Sequence, residues 1–409
     1  VKSGVLGRDF VLFSAARMVT VIGSAVTAVA FPILMYQLTG SAAWTSLVAA
    51  FHVAPYLLFG LVAGAVADRQ SRRRIMVVAN VVAASALLTV PVAGNAGALH
   101  VGHILAVAGS VSSAFVWFDA AAFGALLTLV GREQVARANS VMWTATTLLG
   151  VVGPALGGLL VACTGASISV ALDAVCYLVA AICLIVVARP MGPARRPGHE
   201  ATASRGLGAA IGEGVRFILG HSAIRSLTLV GVANSVAAGG LTGLLLVFAV
   251  ERLGFNARGS GYGALLGLIA AGGFFAAAIL PTLSQRLPVG RITMAGLAVC
   301  VPSILVLSTT TSGIGACVCL LIYSGGNTVV ILNGINLRQQ LTPDHLQARV
   351  NTTARMAAWG GTPFGAIACG LLTKVVDARI ALAATTIVLA FGLAYGHQAG
   401  LSRRDFGTS

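Results

Sequence analysis

Gly60-Leu61-Val62-Ala63-Gly64-Ala65-Val66-Ala67-Asp68-Arg69-Gln70-Ser71-Arg72-Arg73-Arg74 changes character within a single helical turn, and the rest of the chain is read from that change. Up to Ala67 it closes an apolar run. From Asp68 to Arg74 five of seven residues are charged, and at 75 a second apolar run begins. Small residues at the end of a span admit a neighbouring helix at close range, and an acid among arginines can bind a helix N-terminus or hold ion pairs. Long apolar runs that stop at arginine clusters are the sequence form of helices that cross a bilayer.

The same alternation extends in both directions. Apolar runs cover 10–37, 44–66, 75–94, 101–128, 138–163, 167–188, 223–249, 259–285, 290–309, 312–338, 348–375 and 379–400. At about 20 residues per crossing, twelve spans use about 240 residues and leave the remainder for connections. The chain of 409 residues is 57% hydrophobic and 9% charged, with mean hydropathy +0.93. Soluble domains are about one quarter charged, so a water-soluble enzyme is excluded, and so is a disordered chain. The expected fold class is all-α and integral to the membrane.

Twenty-six Lys and Arg against eleven Asp and Glu give a net charge of +15, which in a soluble chain would point to nucleic acid. Here membrane orientation explains the excess. With the N-terminus in the cytoplasm, Lys2, Arg8, Arg69, Arg72, Arg73, Arg74, Arg132, Arg137, Arg189, Arg195, Arg196, Arg205, Arg216, Arg286, Arg291, Arg338, Arg349, Arg403 and Arg404 fall inside. Only Arg252, Arg258, Lys374 and Arg379 fall outside, and this bias places both termini in the cytoplasm. The seven cysteines lie in or beside apolar runs without a C-x-x-C pair, which reads as packing rather than disulfides or zinc. No P-loop lysine, H-E-x-x-H, G-x-S-x-G or metal-spaced cluster is present, so neither an enzyme, a metal site nor a bound cofactor is expected.

The longest connection, 189–222, separates residues 1–188 from 223–409, six spans on each side. Its first part carries Pro190, Pro193 and Pro197 among arginines. Its later part sets Ile211, Val215, Phe217 and Ile218 among Glu213 and Arg216, which reads either as a short interfacial helix or as a solvated linker. A shift of 212 residues lays Ala136-Arg137-x-Asn139 on Ala348-Arg349-x-Asn351, Gly153 on Gly365, and Gly158-Leu159-Leu160 on Gly370-Leu371-Leu372. Eight of 25 positions agree, which supports two duplicated halves, an arrangement that many transporters place around a central site.

The opening segment resembles the loop signature G-x-L-A-D-R-x-G-R-R of the major facilitator superfamily. Gly64, Ala67, Asp68, Arg69, Arg72 and Arg73 match it, with Val66 for Leu and Ser71 for the second Gly. The resemblance implies that Asp68 and its basic neighbours gate a conformational change; a plain positive-inside stop is the alternative. Gly150-Val151-Val152-Gly153-Pro154-Ala155-Leu156-Gly157-Gly158 is similar to the antiporter signature G-x-x-x-G-P-x-x-G-G, one residue shorter before the proline. It implies export, with generic kinking and packing as the alternative. Leu38 to Ser41, Arg132 to Asn139, Leu172 to Ala174 and Glu213 to Phe217 resemble the bacterial exporter branch that holds enterobactin exporters and macrolide efflux pumps. Resemblance to that branch implies a bacterial plasma membrane. Asp119-Ala120-Ala121 departs from it where a proline precedes the alanine.

Ionisable residues inside spans are costly and default to functional candidates. Asp119 stands beside Trp117, Phe118 and Phe123 and reads as a proton carrier or as half of an ion pair with a loop arginine. Arg17 faces a cavity or snorkels to the interface. His52 relays protons or hydrogen-bonds in the core. Asp173 reads as a packing or capping residue, and Arg355 as a partner for Asp119 or Glu133. The expectation is a twelve-helix major facilitator fold of two six-helix bundles, acting as a monomer. It would export an amphiphilic small molecule, an antibiotic or a siderophore, by proton antiport. An uptake symporter on the same fold, and a non-transporting membrane sensor, are the rivals.

Overall fold

The computed structural model describes residues 7–67, 69–131, 134–189, 191, 207–256, 260–342 and 347–401. Among them all regular structure is helical: α1 (Arg8–Thr39), α2 (Ala42–Ala67), α3 (Arg72–Asn95), α4 (Val101–Val130), α5 (Val135–Thr164), α6 (Ala166–Val186), α7 (Leu207–Gly220), α8 (Ser222–Glu251), α9 (Ser260–Ser284), α10 (Val289–Thr309), α11 (Gly313–Leu341), α12 (Gln347–Leu372) and α13 (Ala378–Gln398). In lipid every backbone N–H and C=O must be satisfied within the chain, and a helix achieves this locally.

Among the described residues, eleven helices are long and apolar enough to cross a bilayer. The twelfth crossing is α12, 26 residues long but polar at its start, where Gln347, Arg349, Asn351 and Arg355 stand. The thirteenth helix, α7, has 14 residues and reaches about 21 Å, short of a 30 Å hydrocarbon core. The structure makes this segment a helix, in which Ile218 packs with Ile224, Val350 and Ala354, with Phe217 and Leu341 beside them, while Val215 and Leu219 are exposed. The proline-rich stretch at 192–206 lies outside the described residues.

The burial pattern of α6 shows why these helices belong in lipid. Ala166, Ser169, Val170, Asp173, Ala174, Tyr177, Ala180, Ala181 and Leu184 form its buried stripe. On the opposite face Ile168, Leu172, Val175, Val179, Ile182 and Ile185 are exposed, equally apolar and spaced by three or four residues. Water would not tolerate such a stripe; hydrocarbon does. Helix α1 ends at Gly40, whose φ of 58° is left-handed and whose N–H reaches Tyr36 O at 2.7 Å.

The chain forms two compact units. The first comprises residues 1–40, 54–198 and 256–267; the second comprises 41–53, 199–255 and 268–409. In the first, α1 packs on α4, α5 and α6, and α3 on α4 and α6. In the second, α8 plays the part of α1, packing on α11, α12 and α13, while α10 lies on α11 and α13. The two central helices bury the most, with Phe13, Val29 and Ile33 on α1 and Leu241, Leu244 and Phe248 on α8 almost without exposure.

Candidate functional site

The charged loop after α2 sits among the ends of other helices of the first unit. Ser71 is the N-cap of α3, accepting from the Arg74 N–H, with φ −64°. The position is extended and needs no left-handed residue, so serine serves where the superfamily signature has glycine. Arg72 donates to Gly124 O and Thr128 Oγ1 on α4, each at 3.0 Å. Its guanidinium occupies the space that a side chain at position 124 would take: a methyl there would lie 2.5 Å from Arg72 Cζ. Arg73 donates to Arg189 O at 2.7 Å, and the Arg72 N–H to Met191 O at 3.2 Å. Arg189 in turn reaches Leu129 O, while Asp9 on α1 accepts the N–H groups of Ala188 and Arg189 at 3.0 and 3.1 Å. The arginines of the loop therefore hold backbone carbonyls at helix ends rather than simply facing solvent. Arg69 is exposed, and Asp68 lies outside the described residues. At Gly64 a methyl group would meet nothing within 4 Å among the described residues. The small residue ends the span without a tight neighbour.

Within the span region the first unit holds a half-buried ion pair. Arg17 Nη2 on α1 donates to Asp119 Oδ1 on α4 at 3.0 Å, with the side chains 25% and 32% exposed. Among the described residues, Asp119 is thus paired with a helical arginine of the same unit rather than with a loop arginine. The sequence suggests an ion pair for Asp119 but not Arg17 as its partner, because nothing in a 102-residue separation announces their contact. The side chain of Arg355, and Glu133, lie outside what is described.

A second acid is fully enclosed. Asp173 on α6 is 1% exposed and accepts from the Thr27 hydroxyl of α1 through Oδ2, while its Oδ1 has no hydrogen-bond partner among the described residues. Oδ1 lies against the space where Gly23 lacks a side chain. Nearby, Ser24 and Tyr177 share a hydrogen bond of 3.2 Å between the same two helices. Asp173 stands two turns inside α6 and caps no helix end, which corrects the capping half of the sequence reading and leaves the packing half. His52 is exposed on α2, beside the buried positions Thr45, Ser46, Val48 and Ala50.

The glycine-rich segment of α5 remains helical through Pro154. Its glycines differ in function. Gly150 has open space, whereas a methyl at Gly153 would lie 2.8 Å from Ala25 Cβ and one at Gly157 would lie 2.9 Å from Val26 Cα, both on α1. Across the other side, Gly263 of α9 presses on Pro154 O and sits with its Cβ direction 2.7 Å from Gly158 Cα. The repeat partners do the same in the second unit: Gly365 meets the Val236 carbonyl of α8, and a methyl at Gly370 would lie 2.7 Å from Ser46 Cβ of α2. The 212-residue repeat therefore sets glycines at close helix approaches in both units.

The second unit contains a feature the sequence reading passed over. A cavity of about 250 Å³ is lined by Asn234, Ser235, Asn327, Arg338, Trp359 and Thr362 among apolar neighbours. Asn234 donates to Asn327 at 2.7 Å, and Ser235 and Thr362 share a hydrogen bond of 2.9 Å. Arg338 is 5% exposed. In the sequence it is one more arginine at the inner end of a span, and only the direction of its side chain sets it apart. Among the described residues no cluster of His, Cys, Asp or Glu could hold a metal ion, and all seven cysteines are free.

Residues 7–407 match the family model described as transmembrane secretion effector, nearly the whole chain. The chain belongs to this family of the major facilitator superfamily. Among curated proteins, the family member is similar to the multidrug efflux pump Tap of Mycobacterium tuberculosis, 28% identical over 396 residues that cover 92% of this chain and 88% of that one. Tap of Mycolicibacterium fortuitum is 32% identical over 219 residues, 51% of each chain. Among solved structures, a bacterial homolog of the human lysosomal transporter Spinster, inward-facing and unoccupied, aligns with TM-score 0.77 and 16% identity over 98% of both chains. A bacterial homologue of the iron transporter ferroportin, inward-facing, aligns with TM-score 0.75, also at 16% identity, over 98% of this chain and 100% of that one. These structural likenesses establish the twelve-crossing major facilitator fold for this family member.

Proposed function

We propose that this protein exports an amphiphilic small molecule from a bacterial cell through its plasma membrane, by proton antiport and alternating access. Similarity to multidrug efflux pumps along 92% of the chain carries the export reading. Residues 1–188 and 223–409 serve as the two moving bundles, joined by 189–222, with both termini in the cytoplasm as the arginine distribution indicates. The protein works as a monomer.

The half-buried Arg17–Asp119 pair supports the proton coupling. A carboxylate held by one guanidinium in a poorly hydrated region loses that attraction when a proton binds, and the energy of that change can bias one conformation over another. Asp119 carries the proton, Arg17 holds the deprotonated form, and Asp68 with Arg69, Arg72 and Arg73 stabilises one closed state at the cytoplasmic face. The close approaches at Gly153, Pro154, Gly157 and Gly158 give the surface along which α5 moves.

The test is accumulation of a panel of fluorescent amphiphiles in cells with and without the protein, repeated with a protonophore. Lower accumulation that the protonophore abolishes is the expected result, and Asp119→Asn protein, present in the membrane at wild-type level, should lose that difference. Import by whole cells without accumulation by inverted vesicles energised acid-inside would instead establish uptake. Efflux insensitive to the protonophore but dependent on a sodium gradient would replace the proton with sodium.

A further inference from the structure

Two polar atoms in the cavity of the second unit have no hydrogen-bond partner among the described residues. Arg338 is 95% buried, and its Nε has no partner; its Nη1 lies beside Gly334, 3.5 Å from the Cβ position there. Among the described residues no carboxylate pairs with it. Asn234, 1% exposed, uses its amide nitrogen on Asn327, and its Oδ1 has no partner. A buried guanidinium without an anion is among the costliest arrangements in a protein interior, and a buried amide oxygen without a donor adds to the cost. An arginine that merely complemented the C-terminal end of a helix, or oriented the chain in the bilayer, would gain more by extending to solvent. This one turns back along α11 into the cavity.

We infer that Arg338 and Asn234 form a binding subsite for an acidic amphiphile, with the carboxylate or phenolate on the guanidinium and a hydrogen-bond donor of the same molecule on Asn234 Oδ1. The guanidinium beside Gly334 and the amide at Asn327 are seven residues apart on α11, about 10 Å of helix, which sets the separation of the two groups in the ligand. Trp359 and the apolar lining cover the ring system between them. The planar guanidinium suits a carboxylate through two parallel N–H bonds, which a neutral ester cannot accept with the same strength. The cavity volume of about 250 Å³ fits a fused bicyclic body. This names the substrate class of the exporter proposed above and rests on that reading for its meaning in transport, though binding itself can be measured apart from it.

The probes are 1-naphthaleneacetate and its methyl ester, titrated by equilibrium dialysis against the full chain in phosphatidylcholine nanodiscs. Wild-type protein should bind the acid at least tenfold more tightly than the ester. Arg338→Gln should remove that preference by weakening the acid tenfold or more while the ester changes less than twofold, and Arg338→Lys should retain part of it. Equal affinity of wild-type protein for acid and ester overturns the inference without recourse to any variant. The titration is repeated with phosphatidylglycerol replacing phosphatidylcholine. Unchanged affinity supports a substrate site, whereas a tenfold loss assigns the guanidinium to a lipid phosphate and overturns the proposal. Absence of efflux for every amphiphile in cells would defeat the exporter reading and leave the binding result standing, so the two failures are distinct.

Discussion

At the scale of single residues, the first unit balances a buried acid on the absence of one methyl group. Gly23 leaves the space that Asp173 Oδ1 fills, and Thr27 supplies the hydrogen bond to its other oxygen. Gly23→Ala would drive Cβ into that oxygen, and overpacking of this kind costs about 1–3 kcal/mol. Relief should come from Asp173→Ala in the same chain, which clears the oxygen and leaves a neutral α1–α6 contact. Thermal unfolding of the purified protein should therefore fall for Gly23→Ala and recover in the double variant beyond the sum of the single effects. A strictly additive pair would mean that the two positions do not constrain each other. The acid at position 173 was legible as an anomaly from its place in an apolar run. Its neighbour was not, since Gly23 and Asp173 are 150 positions apart and only the crossing of α1 and α6 joins them.

Among the helices, what could be read from sequence followed from what lipid demands. A crossing needs about 20 apolar residues, so helix positions are written in composition. Helix α7 reads equally as an interfacial helix or a solvated linker because a half-apolar segment suits both, and its contact with Val350 and Ala354, on a helix far along the chain, is not written in it. Gly64 and Gly153 look alike in sequence, yet one faces open space and the other α1. Helix ends are more local, and α13 offers a direct test. Asp377 is its N-cap, accepting the Arg379 N–H at 3.0 Å, with an ion pair to Arg252 beside it. The Arg379 N–H, aided by the Arg252 and Arg379 charges and opposed by some burial, holds its carboxyl below the usual carboxylate range. A depressed carboxyl stabilises the fold above its unfolded value near 3.9, and that contribution disappears as pH falls through the folded value. Asp377→Asn keeps a capping oxygen and removes the charge. Its deficit in melting temperature against wild type should be constant from pH 7 to pH 5 and shrink below pH 4, while Asp377→Ala should lose about 1 kcal/mol of capping across the range. A deficit for Asp377→Asn that persists unchanged at pH 3 would show that the charge contributes nothing.

For the whole molecule, the arginine distribution and the helix count make one joint statement. The proposed orientation puts nineteen basic residues on the side of the N-terminus against four on the other, and with twelve crossings the C-terminus returns to that side. The bias could be read from sequence because insertion responds to the sign and number of charges near span ends. The same count concealed Arg338, because the sign of a charge does not tell which way its side chain turns. Thiol labelling with a membrane-impermeant maleimide on intact cells separates the possibilities. In a Cys163→Ser background, which removes the one exposed native cysteine, Thr310→Cys lies in the connection between α10 and α11, and Leu287→Cys in that between α9 and α10. Thr310→Cys should react from outside, and Leu287→Cys should react only after the cells are permeabilised. The opposite pattern would invert the protein, placing the Arg69 to Arg74 cluster outside and reversing the direction in which α5 opens. Reaction of both from outside would mean that α10 does not cross, and the count of twelve would fail along with the pairing of its two sixfold halves.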